Sequence, residues 1–210
     1  MSIETPASER AYRQTKDQIL VGAVKGGQLL SEVEVAAQLG VSRTPVHEAF
    51  LRLAAEDLLE MLPRRGAVVV PVPPREAGDL LEMRVALEGA AVRRLCREAD
   101  VAAVEAELAE LVERQRGAVA DPDRFAELDA AFHRHIVDAS GNRIAQRFYC
   151  SIGDRQRRMM ADVVQDDRTL RERLIIEHRR LAEVIGLRDI DGFDALLLAH
   201  LESTYRMVLR

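Results

Sequence analysis

Asp129 and His133 stand four residues apart in a helical pattern, so both side chains share one helix face. Together they can offer a carboxylate oxygen and an imidazole nitrogen to a single ion. His178 and His200 fall on the last two helical segments, 22 residues apart, and an up-and-down hairpin can bring them level inside a bundle. The chain has five histidines, and three of them belong to this set. Taken singly, each reads as an ordinary partly buried side chain rather than a ligand. His135 points elsewhere on its helix and reads as surface or as support for the others. A second group has a different chemistry. Val46, Ala49, Phe50 and Leu53 make one apolar helix face, leaving Arg43, Thr44, His47 and Arg52 outward. An arginine there can reach guanine O6/N7 or a phosphate, and a threonine can reach a phosphate or a thymine methyl. Arg52 lies further along and suits the nucleic-acid backbone. Arg64, Arg65 and Gly66 form a basic turn able to enter or flank a minor groove. Each of these also has a plain reading as solvated surface.

The elements that must position these residues are legible from their punctuation. Residues 1–8 are polar and read as a loose lead-in. A helix is expected over Ala11–Val24, ended by Lys25-Gly26-Gly27. Ser31 with Glu34 three residues later reads as a capping box opening a second helix. Gly40 allows a tight turn, Ser42 or Thr44 caps a third helix over Thr44–Glu56, and Pro45 sits harmlessly in its first turn. Leu58–Leu62 and Ala67–Pro71 read as two strands around the turn at Pro63-Arg64-Arg65-Gly66. Three helices and a hairpin make a winged helix-turn-helix. Pro71-Val72-Pro73-Pro74 breaks the chain, so one domain is expected over residues 1–72 and a second over 75–210. The second reads as six helices: 75–98, 101–119, 122–139, 142–164, 167–187 and 189–209. The fold class is mainly α, a winged helix followed by an all-α bundle.

Composition agrees with packed amphipathic helices. Hydrophobic residues make up 48% of the chain, charged residues 31% and aromatic residues 4%. The net charge of −5 gives no hint of nucleic acid, and residues 1–74 hold eight Lys/Arg against nine Asp/Glu. Any DNA contact must therefore come from a local patch. Cys96 and Cys150 form no ligand or framework spacing and read as two reduced, buried thiols. No apolar run approaches the ~18 residues of a membrane span, and no signal peptide is visible, so a cytoplasmic protein is expected. Arg155-Gln-Arg-Arg158 and Arg171-Glu-Arg173 read as solvated helix faces or the edge of a dimer contact. No nucleophile motif or cofactor loop accompanies the histidines, which counts against a metalloenzyme.

The chain resembles the GntR family of bacterial transcription factors, in the subfamily named after FadR. The run Leu30-Ser31-Glu32 followed by Ala36-Ala-Gln-Leu-Gly-Val-Ser-Arg-Thr-Pro-Val-His-Glu-Ala49 carries the resemblance in the first part. Glu82-Met-Arg-Val-Ala-Leu-Glu88, Asp129-Ala-Ala-Phe-His133, Ser140-Gly-Asn142, Glu177-His178 and His200 carry it in the second. Val33 and His47 depart from it, since a basic residue and an arginine are common there. The resemblance implies a homodimer on double-stranded operator DNA, acting mostly as a repressor. It also implies a divalent metal held by Asp129, His133, His178 and His200. Zn, Ni, Mn and Fe(II) are not distinguished by such ligands. A small carboxylate effector is expected beside that metal. Arg84 is the candidate to pair with it, against a structural ion pair with a neighbouring glutamate. Asn142 either donates to the effector or simply ends a turn. A purely structural metal, or direct sensing of the metal, is the alternative.

Overall fold

The computed structural model describes residues 5–98 and 100–208. The chain divides into two compact units, residues 1–72 and 73–210.

In the first unit, α1 (Ala7–Leu20), α2 (Glu32–Leu39) and α3 (Arg43–Ala55) surround one apolar cluster. Val46, Ala49, Phe50 and Leu53 of α3 are completely buried in it, which is the face expected from their spacing. Helix α1 starts and ends earlier than expected, and residues 1–4 of the expected lead-in lie outside the described residues. Ser31 caps α2 by accepting from Glu34 N–H at 3.4 Å. Gly40 closes α2 at φ +63, in the left-handed region. Ser42 holds the N-cap position of α3 but makes no side-chain cap bond, and Thr44 lies inside the helix.

The hairpin is part of a larger sheet. β2 (Leu59–Leu62) and β3 (Gly66–Val69) pair antiparallel, and β1 (Leu29–Leu30) pairs with the other edge of β3. A two-residue strand has no alternation to read, so the sequence did not announce it. The wing is thereby tied to the segment that opens α2. Gly66 sits at φ +104, and a Cβ placed there would collide with the carbonyl oxygen of Leu30. Gly66→Ala combines backbone strain with that collision. It is expected to cost about 2–4 kcal/mol, read as a lower urea midpoint for the first unit with the second unchanged.

The second unit consists of α4 (Pro74–Glu98), α5 (Val101–Gly117), α6 (Pro122–Ala139), α7 (Arg143–Val164), α8 (Arg168–Gly186) and α9 (Ile190–Val208). Five of these helices have side-chain N-caps among the described residues: Asp100, Asp121, Asn142, Asp167 and Asp189 each accept from backbone N–H groups of the first turn. Phe125, Phe132, Leu108, Leu174, Leu181 and Phe193 are among the fully buried residues of its core. Two expectations need correction. Cys96 is only half-buried and Cys150 is exposed, because Cys150 falls on the outer face of α7. Arg171 and Arg158 are buried rather than solvated. The Arg171 guanidinium donates to the carbonyls of Val119, Val164 and Gln165, so it closes helix ends that would otherwise lack donors.

Candidate metal centre and DNA-facing groove

The structure brings Asp129, His133, His178 and His200 together. One ligand atom from each lies within 4.8 Å of all the others, and all four side chains are buried. Asp129 and His133 come from one face of α6, and His178 and His200 from α8 and α9, level with it. Phe132 stacks on His178 with ring centroids 4.5 Å apart, which fixes that ring's plane.

Each imidazole is held from outside the cluster by its Nδ1. His133 Nδ1 lies 2.8 Å from Glu88 Oε2, His178 Nδ1 lies 2.8 Å from Gln115 Oε1, and His200 Nδ1 lies 2.7 Å from Glu177 Oε2. All three partners accept, so the proton sits on Nδ1 in the neutral ring and the lone pair on Nε2. Those three Nε2 atoms turn inward. His133 and His200 face each other, Nε2 to Nε2, at 3.2 Å. His178 Nε2 lies 3.4 Å from Asp129 Oδ1 without making a hydrogen bond. Both oxygens of Asp129 are buried without a hydrogen-bond partner.

Three inward lone pairs and an unpartnered buried carboxylate are costly together unless a cation joins them. Burial lowers the pKa of His133, and the nearby Arg84 charge adds to this. Burial takes His178 well below the usual range, helped by His200 and His133. Neutral imidazole is the form that ligates. The set of three nitrogens and one oxygen fits Zn, Ni, Mn or Fe(II).

Behind His133 stands a polar cluster the sequence reading did not resolve. Glu88 accepts from His133, from Arg84 Nε at 2.8 Å and from the Tyr149 hydroxyl at 2.8 Å. Burial alone would raise the Glu88 pKa, but the Arg84 charge and His133 outweigh it and hold it at about 2. Arg84 thus makes the ion pair with a neighbouring glutamate that its spacing allowed, and it does so fully buried beside the histidines. Asn142 spends its Oδ1 on capping α7, the turn role. His135 sits on another face of α6, with Nε2 2.8 Å from Glu107. Glu88 stood inside the motif quoted for the resemblance, and its i, i+4 spacing from Arg84 was the available signal. Glu177 likewise stood inside a quoted motif, next to His178, whereas Gln115 carried no signal beyond helical phase.

In the first unit, Arg43, Thr44 and His47 of α3 line a groove of about 650 Å³ with Glu32, Val33 and the wing residues Arg64, Arg65 and Gly66. Glu32 reaches across from α2. It accepts from Arg43 Nη2 at 3.1 Å and lies 2.8 Å from His47 Nδ1. Arg52 pairs with Glu9 at 2.8 Å and lies over the Tyr12 ring at 3.8 Å, so it is held against α1.

No helix among the described residues is long and apolar enough to cross a membrane. Residues 7–69 match the family of bacterial regulatory proteins called gntR, and residues 79–203 match the FCD domain. The chain is 30% identical over 183 residues to the Nta operon transcriptional regulator of Aminobacter aminovorans, covering 87% of this chain and 85% of that one. It is 29% identical over 218 residues to the HTH-type transcriptional repressor RspR of Escherichia coli K12, covering 97% and 92%. A putative GntR transcriptional regulator from Rhodococcus sp. RHA1 shares the fold with a TM-score of 0.80, at 23% identity over 98% of both chains. Proteins of this kind are transcriptional regulators, not enzymes. The chain belongs to the GntR family of bacterial transcription regulators and carries the FCD domain.

Proposed function

We propose that this chain is a ligand-responsive repressor. In this reading residues 1–72 bind operator DNA and residues 75–210 hold a divalent metal and a small carboxylate. Asp129, His133, His178 and His200 would hold the metal, which would supply Lewis acidity to an oxygen of the effector. Arg84 supplies positive charge beside it. Arg43, Thr44, His47, Arg64, Arg65 and Gly66 face the DNA, and Arg52, held against α1, flanks the nucleic-acid backbone beside them. A homodimer suits the purpose because a two-fold protein matches a two-fold operator. The effector shifts DNA affinity only by its differential affinity for the two states of the regulator, typically ~1–3 kcal/mol.

The observation that supports this most is the convergence of three Nδ1-anchored histidines on an unpartnered aspartate. One feature favours the alternative, a metal that only braces the bundle: all four ligands are buried. Fluorescence anisotropy separates the readings, using the DNA flanking the protein's own gene at ~150 mM salt with a shuffled duplex as control. The regulator binds its operator roughly 10³-fold tighter than the control. A carboxylic acid that weakens this binding supports effector sensing. If chelation lowers thermal stability while no acid in a broad panel changes DNA affinity, the metal is structural. Equal, weak binding to both duplexes counts against this operator.

A further inference from the structure

We propose that Glu32 fixes His47 as a hydrogen-bond acceptor toward DNA, so that this position selects an adenine or a cytosine. The inference rests on the first unit binding DNA through the groove between α3 and the wing.

The Glu32 side chain is 12% exposed and addresses two groups at once, Arg43 through Oε2 and His47 through Oε1. The hydrogen bond from His47 and the Arg43 charge lower its pKa against the opposing effect of burial, so it is ionised. An ionised carboxylate only accepts, and the ring nitrogen facing it must carry the proton. In the neutral imidazole that places the hydrogen on Nδ1 and leaves a lone pair on Nε2. Nε2 has no hydrogen-bond partner among the described residues, and the side chain is 50% exposed. Arg43 differs, because its guanidinium donates from every nitrogen and still has donors to spare after meeting Glu32.

The major groove offers few partners for an acceptor. Guanine presents N7 and O6 and thymine presents O4, all acceptors themselves. Only adenine N6 and cytosine N4 present donors. A phosphate oxygen is excluded for the same reason. The histidine therefore does more than weaken the attraction an arginine would give at this place, since it inverts the base preference.

The test is selection of the full-length protein on a pool of randomised duplexes at fixed salt. It uses wild type and His47→Arg at pH 8. At pH 8 wild type is expected to enrich adenine or cytosine at one position in each half-site, with at least tenfold weaker binding when guanine or thymine replaces it. His47→Arg should move that position to guanine. His47 lies on the surface of α3, so the variant folds. Enrichment of the same base at every position by wild type and His47→Arg at pH 8 would overturn the assignment while leaving the DNA-binding reading intact. A pool that enriches nothing with either protein would overturn both.

Discussion

Replacing Glu88 with alanine is expected to cost about 3–5 kcal/mol, because it removes one partner of a fully buried ion pair and strands the charge of Arg84. It also takes the acceptor away from His133 Nδ1 and from the Tyr149 hydroxyl. The bundle transition should fall by roughly 10 °C or more in a thermal melt. Glu88→Gln keeps the shape and one acceptor oxygen and should cost less. The pH dependence isolates the charge. The folded-state value of about 2 lies below the ordinary 4.5. The stability Glu88 contributes is therefore complete at neutral pH and is lost as the pH falls from about 4.5 toward 2. That difference corresponds to about 3 kcal/mol. Urea midpoints measured with chelator present should fall more steeply across this window in wild type than in Glu88→Gln. Parallel curves would mean that Glu88 is not the charge balancing Arg84.

His178→Ala is expected to abolish stoichiometric metal in the purified protein, measured by inductively coupled plasma mass spectrometry. A ligand present at a thousand times its dissociation constant stabilises the state that binds it by about 4 kcal/mol. For a unit of this size that is roughly 10–15 °C in Tm. Treating wild type with chelator should reproduce the drop, and treating the variant should add little. Adding Zn, Ni, Mn or Fe(II) should restore wild type alone. If wild type carries no metal and none of the four ions raises its Tm, the metal reading is wrong, and the inward lone pairs must share protons instead.

Helix ends were legible because Asp100, Asp121 and Asn142 act within a turn of where they stand. Asp129 and His133 were legible for a related reason, since four residues on a helix place two side chains side by side. Their convergence with His178 and His200 came from family likeness, because it depends on the relative depth of three helices. What lay beyond reach was the outer support of the histidines. Glu88 and Gln115 meet their rings across 45 and 63 residues. The i, i+4 spacing of Glu88 from Arg84 pointed to an ion pair, but nothing local tied that glutamate to an imidazole. Cys150 and Arg171 failed for the opposite reason. Helical periodicity places their helices but does not tell which face a neighbouring helix covers.

The tie between β1, the wing and α3 has a consequence for how binding preferences change over generations. Leu29 and Leu30 hold β3, the Leu30 carbonyl closes over Gly66, Ser31 starts α2, and Glu32 grips Arg43 and His47. Four consecutive residues thus join the wing turn and the outward face of α3 into one unit. Transplanting the outward residues of α3 alone into a sister regulator would deliver them without the carboxylate that orients them. A faithful graft carries residues 29–66 as a block. Drift within this lineage is then expected to change wing and helix together rather than one at a time.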